Sequence, residues 1–181
     1  MPANLHSAVL QVLARTPVLN EATLRPPRSR RERAMVRRLL HWAFDAFNRR
    51  DLDAAFALLP RNFEWEFLPE FPGLDVARSR ADVRRFLDDF LTDFPAYNTH
   101  IENYSDDGQR IVLGVHAFNP GPHTGIEMNI RFVQTWDYED GVHRIRERLT
   151  WAASGLTELI DPHPGAGREA ASGAADRDRV E

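Results

Sequence analysis

From Arg33 onward the apolar residues Val36, Leu39, Leu40, Ala43, Phe44 and Phe47 recur at the spacing of one helix face, which predicts an amphipathic helix whose stripe needs a core. Asn48-Arg49-Arg50 interrupts that pattern. Asp51 suits an N-cap, and Leu52 to Leu59 reads as a short second helix stopped by Pro60. Phe63-Glu64-Trp65-Glu66-Phe67 alternates strictly, as a strand buried on one face does, so its aromatics share that face. Ser79 followed by Asp82 has the look of a capping box, and Val83, Phe86, Leu87, Phe90, Leu91 and Phe94 predict a third helix ended by Pro95. After it come the β-rich stretches Tyr97 to Tyr104, Arg110 to Phe118, Ile126 to Tyr138 and Val142 to Trp151. Asp107-Gly108 and Asp140-Gly141 suit tight hairpins, which predicts an antiparallel meander.

The flanks lack this order. Residues 1–32 hold a short helical pattern, Leu5 to Ala14, then Pro26-Pro27 and a run of arginines, and are expected to form a mobile arm whose removal leaves stability unchanged. Residues 160–181 are rich in Gly, Ala, Asp and Arg without an apolar period and are expected to be a disordered tail. The domain itself is placed at 33–159, since 181 residues with 43% hydrophobic content suit one core.

Composition narrows the chemistry. There is no Cys, which excludes disulfides, thiolate nucleophiles and thiolate metal sites. The 23 basic residues are all Arg, which excludes a Schiff base on the protein's own lysine. The histidines show no metal-ligand spacing, so no metal and no cofactor are expected. A net charge of −4 and the absence of a long apolar run suggest neither a nucleic-acid nor a membrane partner. Met1 to Leu13 has a short apolar stretch with no basic residue before it and no small-residue cleavage pattern, so a cytoplasmic location is expected.

The order of two helices, a strand, a third helix and a four-stranded meander resembles the cone-shaped fold of the nuclear transport factor two-like superfamily. Phe47-Asn48-Arg49-Arg50-Asp51-Leu52-Asp53-Ala54-Ala55, then Asn62-Phe63-Glu64-Trp65, is similar to the phrase joining helices to first strand in its SnoaL-like branch. Gly108 to Leu113 and Tyr138 to Glu147 are similar to its hairpin signatures. The resemblance implies an α+β fold in which a curved antiparallel sheet wraps around helices and encloses a small-molecule pocket. Relatives of that fold include polyketide cyclases, ketosteroid isomerases, dehydratases, epoxide hydrolases and proteins that only bind, so residues must choose the reaction. Phe67 stands where the isomerase branch would place its Asp base. Leu149 and Ala153 stand where the cyclase branch carries a Trp and a late Asp.

Candidate site residues follow from strand parity. Ile145, Glu147, Leu149 and Trp151 share a face, so an inward apolar set makes Glu147 an inward carboxylate, either a general acid–base group or the partner of a rim arginine. Phe132, Gln134 and Trp136 share a face on the preceding stretch; Gln134 there can orient a ligand oxygen or be satisfied by backbone. Trp65 and Phe67 complete the expected aromatic wall. His116 lies on a stretch that is apolar on both parities, so it is either inward beside Glu147 as a second catalytic group or an ordinary surface histidine. The expected partner is a small hydrophobic molecule, taken by a cofactor-free acid–base enzyme or by a non-catalytic binder. A homodimer is expected through the outer face of the sheet, where Arg131, Arg144, Arg146 and Arg148 lie beside Glu127 and Asp137.

Overall fold

In the computed structural model, which describes residues 5–15, 17–70, 75–120 and 127–150, the chain opens with α1 (Leu5–Arg15), α2 (Pro17–Leu24), α3 (Arg30–Asn48) and α4 (Leu52–Ala55). It continues through β1 (Phe63–Glu66), β2 (Val76–Ala77), α5 (Arg80–Asp93), β3 (Asn98–Asp106), β4 (Ile111–Asn119), β5 (Met128–Glu139) and β6 (Val142–Leu149). The expected tail, Trp151 and Ala153 lie outside the described residues.

The helices α3, α4 and α5 start where the sequence supplies a cap. Ser29 opens α3 with a full capping box: its Oγ accepts from the Glu32 N–H at 3.4 Å while the Glu32 carboxylate accepts from the Ser29 N–H at 2.7 Å. The helix therefore begins earlier than its apolar stripe. Asp51 caps α4 through the Ala54 N–H at 3.2 Å, and Ser79 caps α5 through the Asp82 N–H at 3.1 Å.

The strands form one curved, open sheet in the order β2-β1-β6-β5-β4-β3. Strands β3 to β6 are the expected antiparallel meander. Asp140 (φ 53°) and Gly141 (φ 81°) both take the left-handed conformation that the tight β5–β6 turn demands. β1 joins by a parallel pairing with β6, Phe63 opposite His143 through Glu66 opposite Arg146. That pairing, which the sequence pattern does not announce, brings the first strand against the last.

The phrase between α3 and α4 ties helix to sheet. The Asn48 amide donates to the Thr99 carbonyl at 2.8 Å and accepts from the Thr99 N–H at 2.9 Å, pairing with the edge of β3 much as another strand would. Arg50, at φ 65°, donates to the carbonyls of Pro95 at 2.6 Å and Tyr97 at 2.7 Å. The chain that leads from α5 into β3 is thus held from the end of α3.

The N-terminal segment is docked, which corrects the expectation of a mobile arm. Leu10 of α1 is 0% exposed and Leu24 of α2 is 3% exposed, and α1 packs against α3 and α4. Arg28 then enters the structure. Its Nε and Nη2 donate to Asp106 at 3.1 and 2.9 Å, and its Nη1 donates to the Leu24 carbonyl at 2.7 Å. The Arg28 N–H donates to the Gly108 carbonyl at 2.9 Å. Gly108 has φ 94° and a Cβ there would meet the Arg28 oxygen at 3.0 Å, so the β3–β4 turn needs glycine both for its conformation and for this approach. A few buried groups, rather than a long apolar stripe, secure the segment, so no helical period reveals its docking.

The outer face of the sheet carries the expected arginines, and Arg131, Arg144 and Arg146 find acids within the chain. Arg144 meets Glu64 at 2.7 Å, Arg131 meets Glu102 at 3.0 Å, and Asp137 takes both Arg110 and, at 3.3 Å, Arg146.

Candidate functional site

The concave face of the sheet, α3, the α4 turn and α5 line a half-open cavity of about 100 Å³. That is room for several waters, and the cavity is partly open to the outside. Its walls are largely aromatic because the inward positions of β1 and β5 and the stripe residues of both long helices converge there. Trp65 stacks on Phe67 with centroids 4.7 Å apart, and Phe67 lies 4.8 Å from Phe86 of α5. Phe132 and Trp136 line the cavity from β5. Phe44 and Phe47, read from the sequence as core stripe, are half-buried and line it from α3.

Glu147 reaches this cavity from β6 and is 8% exposed. Register decides its company. Gln134 lies directly opposite it on β5, and the parallel pairing sets Trp65 beside the neighbouring Ile145. Glu147 Oε1 accepts from Gln134 Nε2 at 2.8 Å and from Trp65 Nε1 at 3.1 Å, and the carboxylate also accepts from the Leu68 backbone N–H. The Gln134 oxygen accepts from Trp136 Nε1 at 2.8 Å, which fixes the orientation of its amide. A chain of Trp136, Gln134 and Glu147 results, with Trp65 as a second donor. Gln134 lines the cavity, yet both ends of its amide engage protein side chains.

Burial raises the Glu147 pKa from 4.5 to about 7, against the opposing pull of the donors Gln134, Trp65 and Leu68. No arginine bridges to Glu147 among the described residues, so the rim ion pair foreseen as its alternative is not formed. A carboxyl group near pH 7 can both take and return a proton, which is what acid–base chemistry on a bound molecule requires.

His116 lies elsewhere, which corrects its candidacy as a catalytic group. Leu113 opposes Gln134 and Val115 opposes Phe132, so the odd-numbered residues of β4 face the cavity and His116 faces outward. There its Nε2 is 2.8 Å from Asn129 Oδ1 and its Nδ1 is 3.5 Å from Glu102. Glu147 and Tyr97 are the titratable residues that line the cavity.

A second buried titratable group sits in the same strand. Burial, and then the charges of Arg28 and Arg25, push His143 down to about 4. Its folded pKa is depressed, so its contribution is present above 6.5 and is lost as pH falls through 4. Glu147 has a raised folded pKa, so its contribution is full below 4.5 and is lost as pH rises through 7. Each is worth roughly 3 kcal/mol at most. The two slopes oppose each other over nearly the same window. Urea unfolding between pH 4.5 and 7 should therefore show little net slope from this pair in the wild type and a clear rise of stability with pH in Glu147→Gln; parallel profiles in the two proteins would contradict the burial-raised carboxyl.

The family model of the SnoaL-like domain matches residues 36–148. The chain belongs to the SnoaL-like domain family. No curated protein matches it. Among solved structures, this SnoaL-like domain is similar to an NTF2-like protein of unknown function from Burkholderia pseudomallei K96243, at 19% identity and TM-score 0.51, over 71% of this chain and 96% of that one. It is similar to Bal32a from a soil-derived mobile gene cassette, at 16% identity and TM-score 0.51, over 69% and 90% of the two chains. It is also similar to TerC, co-crystallized with polyporic acid, at 19% identity and TM-score 0.50, over 65% and 92%. At these identities the likeness establishes the fold, and the SnoaL-like match spans the elements that build the cavity.

Proposed function

We propose that the cavity receives a small hydrophobic molecule bearing one or two oxygens, and that Glu147 serves it as a cofactor-free acid–base group in isomerase, cyclase or dehydratase chemistry. The observation that carries this proposal is the buried carboxyl, brought to about 7, on the wall of an otherwise aromatic cavity. As carboxylate it would remove a proton from carbon beside a ligand carbonyl; as acid it would return one. Gln134 and Trp65 would hold its oxygen in place, and Trp65, Phe67, Phe132 and Trp136 would sandwich the ligand. TerC, with its polyporic acid, supports the idea of a small-molecule site in this fold.

A binding protein with the same cavity and no turnover is the second proposal, favoured by Phe67: an apolar ring stacked on Trp65 takes the place where the isomerase-like resemblance would have a base. Both predict that Trp65→Ala weakens binding of a flat ketone such as 2-tetralone by about tenfold or more, because a stacked wall and a donor to Glu147 go together. Calorimetry giving equal affinity for the two proteins would remove Trp65 from the binding wall.

Among the described residues no helix is long and apolar enough to cross a membrane, and a cytoplasmic location is part of the same proposal. Homodimerisation through the outer face also stays a proposal. Its support shifts from Arg131, Arg144 and Arg146, which are paired within the chain, to the strip where the half-buried Phe118 lies between His100 and His116 at 5.4 and 5.7 Å. Light scattering that finds a monomer at micromolar concentration counts against it.

A further inference from the structure

Two hydroxyl-bearing residues line the cavity, and neither hydroxyl has a hydrogen-bond partner among the described residues. Tyr97 is 5% exposed, and it lines the cavity together with Thr99. Among the described residues neither the Tyr97 phenol nor the Thr99 hydroxyl makes a hydrogen bond.

Everything else about these two residues is tied down. The Tyr97 N–H donates to Phe94 at 3.0 Å and its carbonyl accepts from Arg50 at 2.7 Å. Its ring is edge-on to Phe90 at 4.9 Å and to Phe47 at 6.2 Å. Both backbone groups of Thr99 are held by the Asn48 amide. Only the hydroxyls are uncommitted, on a frame that Asn48 and Arg50 make rigid. Such preorganisation lowers the ordering cost of recognising a ligand atom.

The Tyr97 pKa is raised above 10 by burial and by the charge of Glu147, so the phenol stays a donor throughout the physiological range and the two groups sense each other across the cavity. They come from different parts of the sheet. Tyr97 precedes β3 at one edge, whereas Glu147 is on β6 with β4 and β5 between.

We propose that Tyr97, assisted by Thr99, is a second oxygen-recognition point of the cavity, and that the ligand is a flat hydrophobic molecule carrying oxygens at two separated positions, one met by Glu147 and the other by the Tyr97 hydroxyl. The proposal rests on the cavity being a ligand site, and the test separates the two. Calorimetry compares 2-naphthol with 1,5-, 2,6- and 2,7-dihydroxynaphthalene on the wild type, Tyr97→Phe and Thr99→Val. At least one dihydroxy isomer should bind the wild type about three- to tenfold tighter than 2-naphthol, the gain expected of one neutral hydrogen bond. Tyr97→Phe should abolish that advantage, and Thr99→Val should take away part of it. An advantage that persists in Tyr97→Phe, or no advantage for any isomer on the wild type, overturns the Tyr97 role while the cavity stands. If Tyr97→Phe does not fold, the wild-type comparison alone decides. Failure of 2-naphthol itself to bind at millimolar concentration overturns the ligand site and the second recognition point together.

Discussion

Glu147→Gln should lower acid–base turnover by about two to four decades while leaving ligand binding largely intact, the range expected when one positioned proton carrier is removed. The substitution keeps the side-chain shape and an oxygen to accept from Gln134 and Trp65, and it takes away the group that titrates near 7. A direct measurement is deuterium exchange at the activated methylene of 2-tetralone, followed by proton resonance, since exchange needs only removal and return of a proton. For the wild type the base must be ionised, so exchange should rise with pH through about 7 and then level off. Glu147→Gln should lose both the rate and the inflection. A wild-type protein that binds 2-tetralone without accelerating exchange supports the binding protein, and exchange undiminished in the variant ends the catalytic role of Glu147.

Arg28→Ala should cost roughly 3 to 5 kcal/mol of stability, the usual penalty for removing one partner of a buried ion pair and stranding the other. Asp106 would keep the Gly108 N–H at 2.8 Å and the Tyr104 hydroxyl at 3.1 Å but would lose the bidentate guanidinium, with side-chain exposures in the pair of only 2% and 1%. For a protein of this size the melting temperature should fall by roughly ten degrees. Deleting residues 1–29 should be at least as costly, because Leu10 and Leu24 leave the core with Arg28. A melting temperature within two degrees of wild type, in either protein, would mean that the segment is not anchored as described.

The elements and the character of the cavity were legible because both rest on local periods. The helical stripe from Val36 to Phe47, the alternation of Phe63, Trp65 and Phe67, and the turns at Asp107-Gly108 and Asp140-Gly141 are short-range signals, and the corresponding helices, strand and hairpins form. Parity on β5 and β6 was enough to group Phe132, Gln134 and Trp136, and to set Glu147 with Ile145, because the opposite faces there are mostly polar or charged. Ser29 and Glu32 were an available helix-start signal, hidden within a run of arginines that reads as an unstructured arm.

What parity could not decide was β4, where Val112 on the outer face is as buried as its inward neighbours and both registers look apolar; the ladder to β5 turned His116 outward. Sequence alone determined that an acidic group would sit among aromatic residues in a curved sheet. Only the tertiary structure decided who surrounds it: the parallel β1–β6 pairing brings Trp65 to Glu147, and Asn48 and Arg50 carry Tyr97 and Thr99 to the same cavity. Arg28 found Asp106 in the same way, 78 residues on. Those contacts join positions far apart in the chain, so no local period encodes them, and they form only when packing of the whole sheet and its helices sets the register.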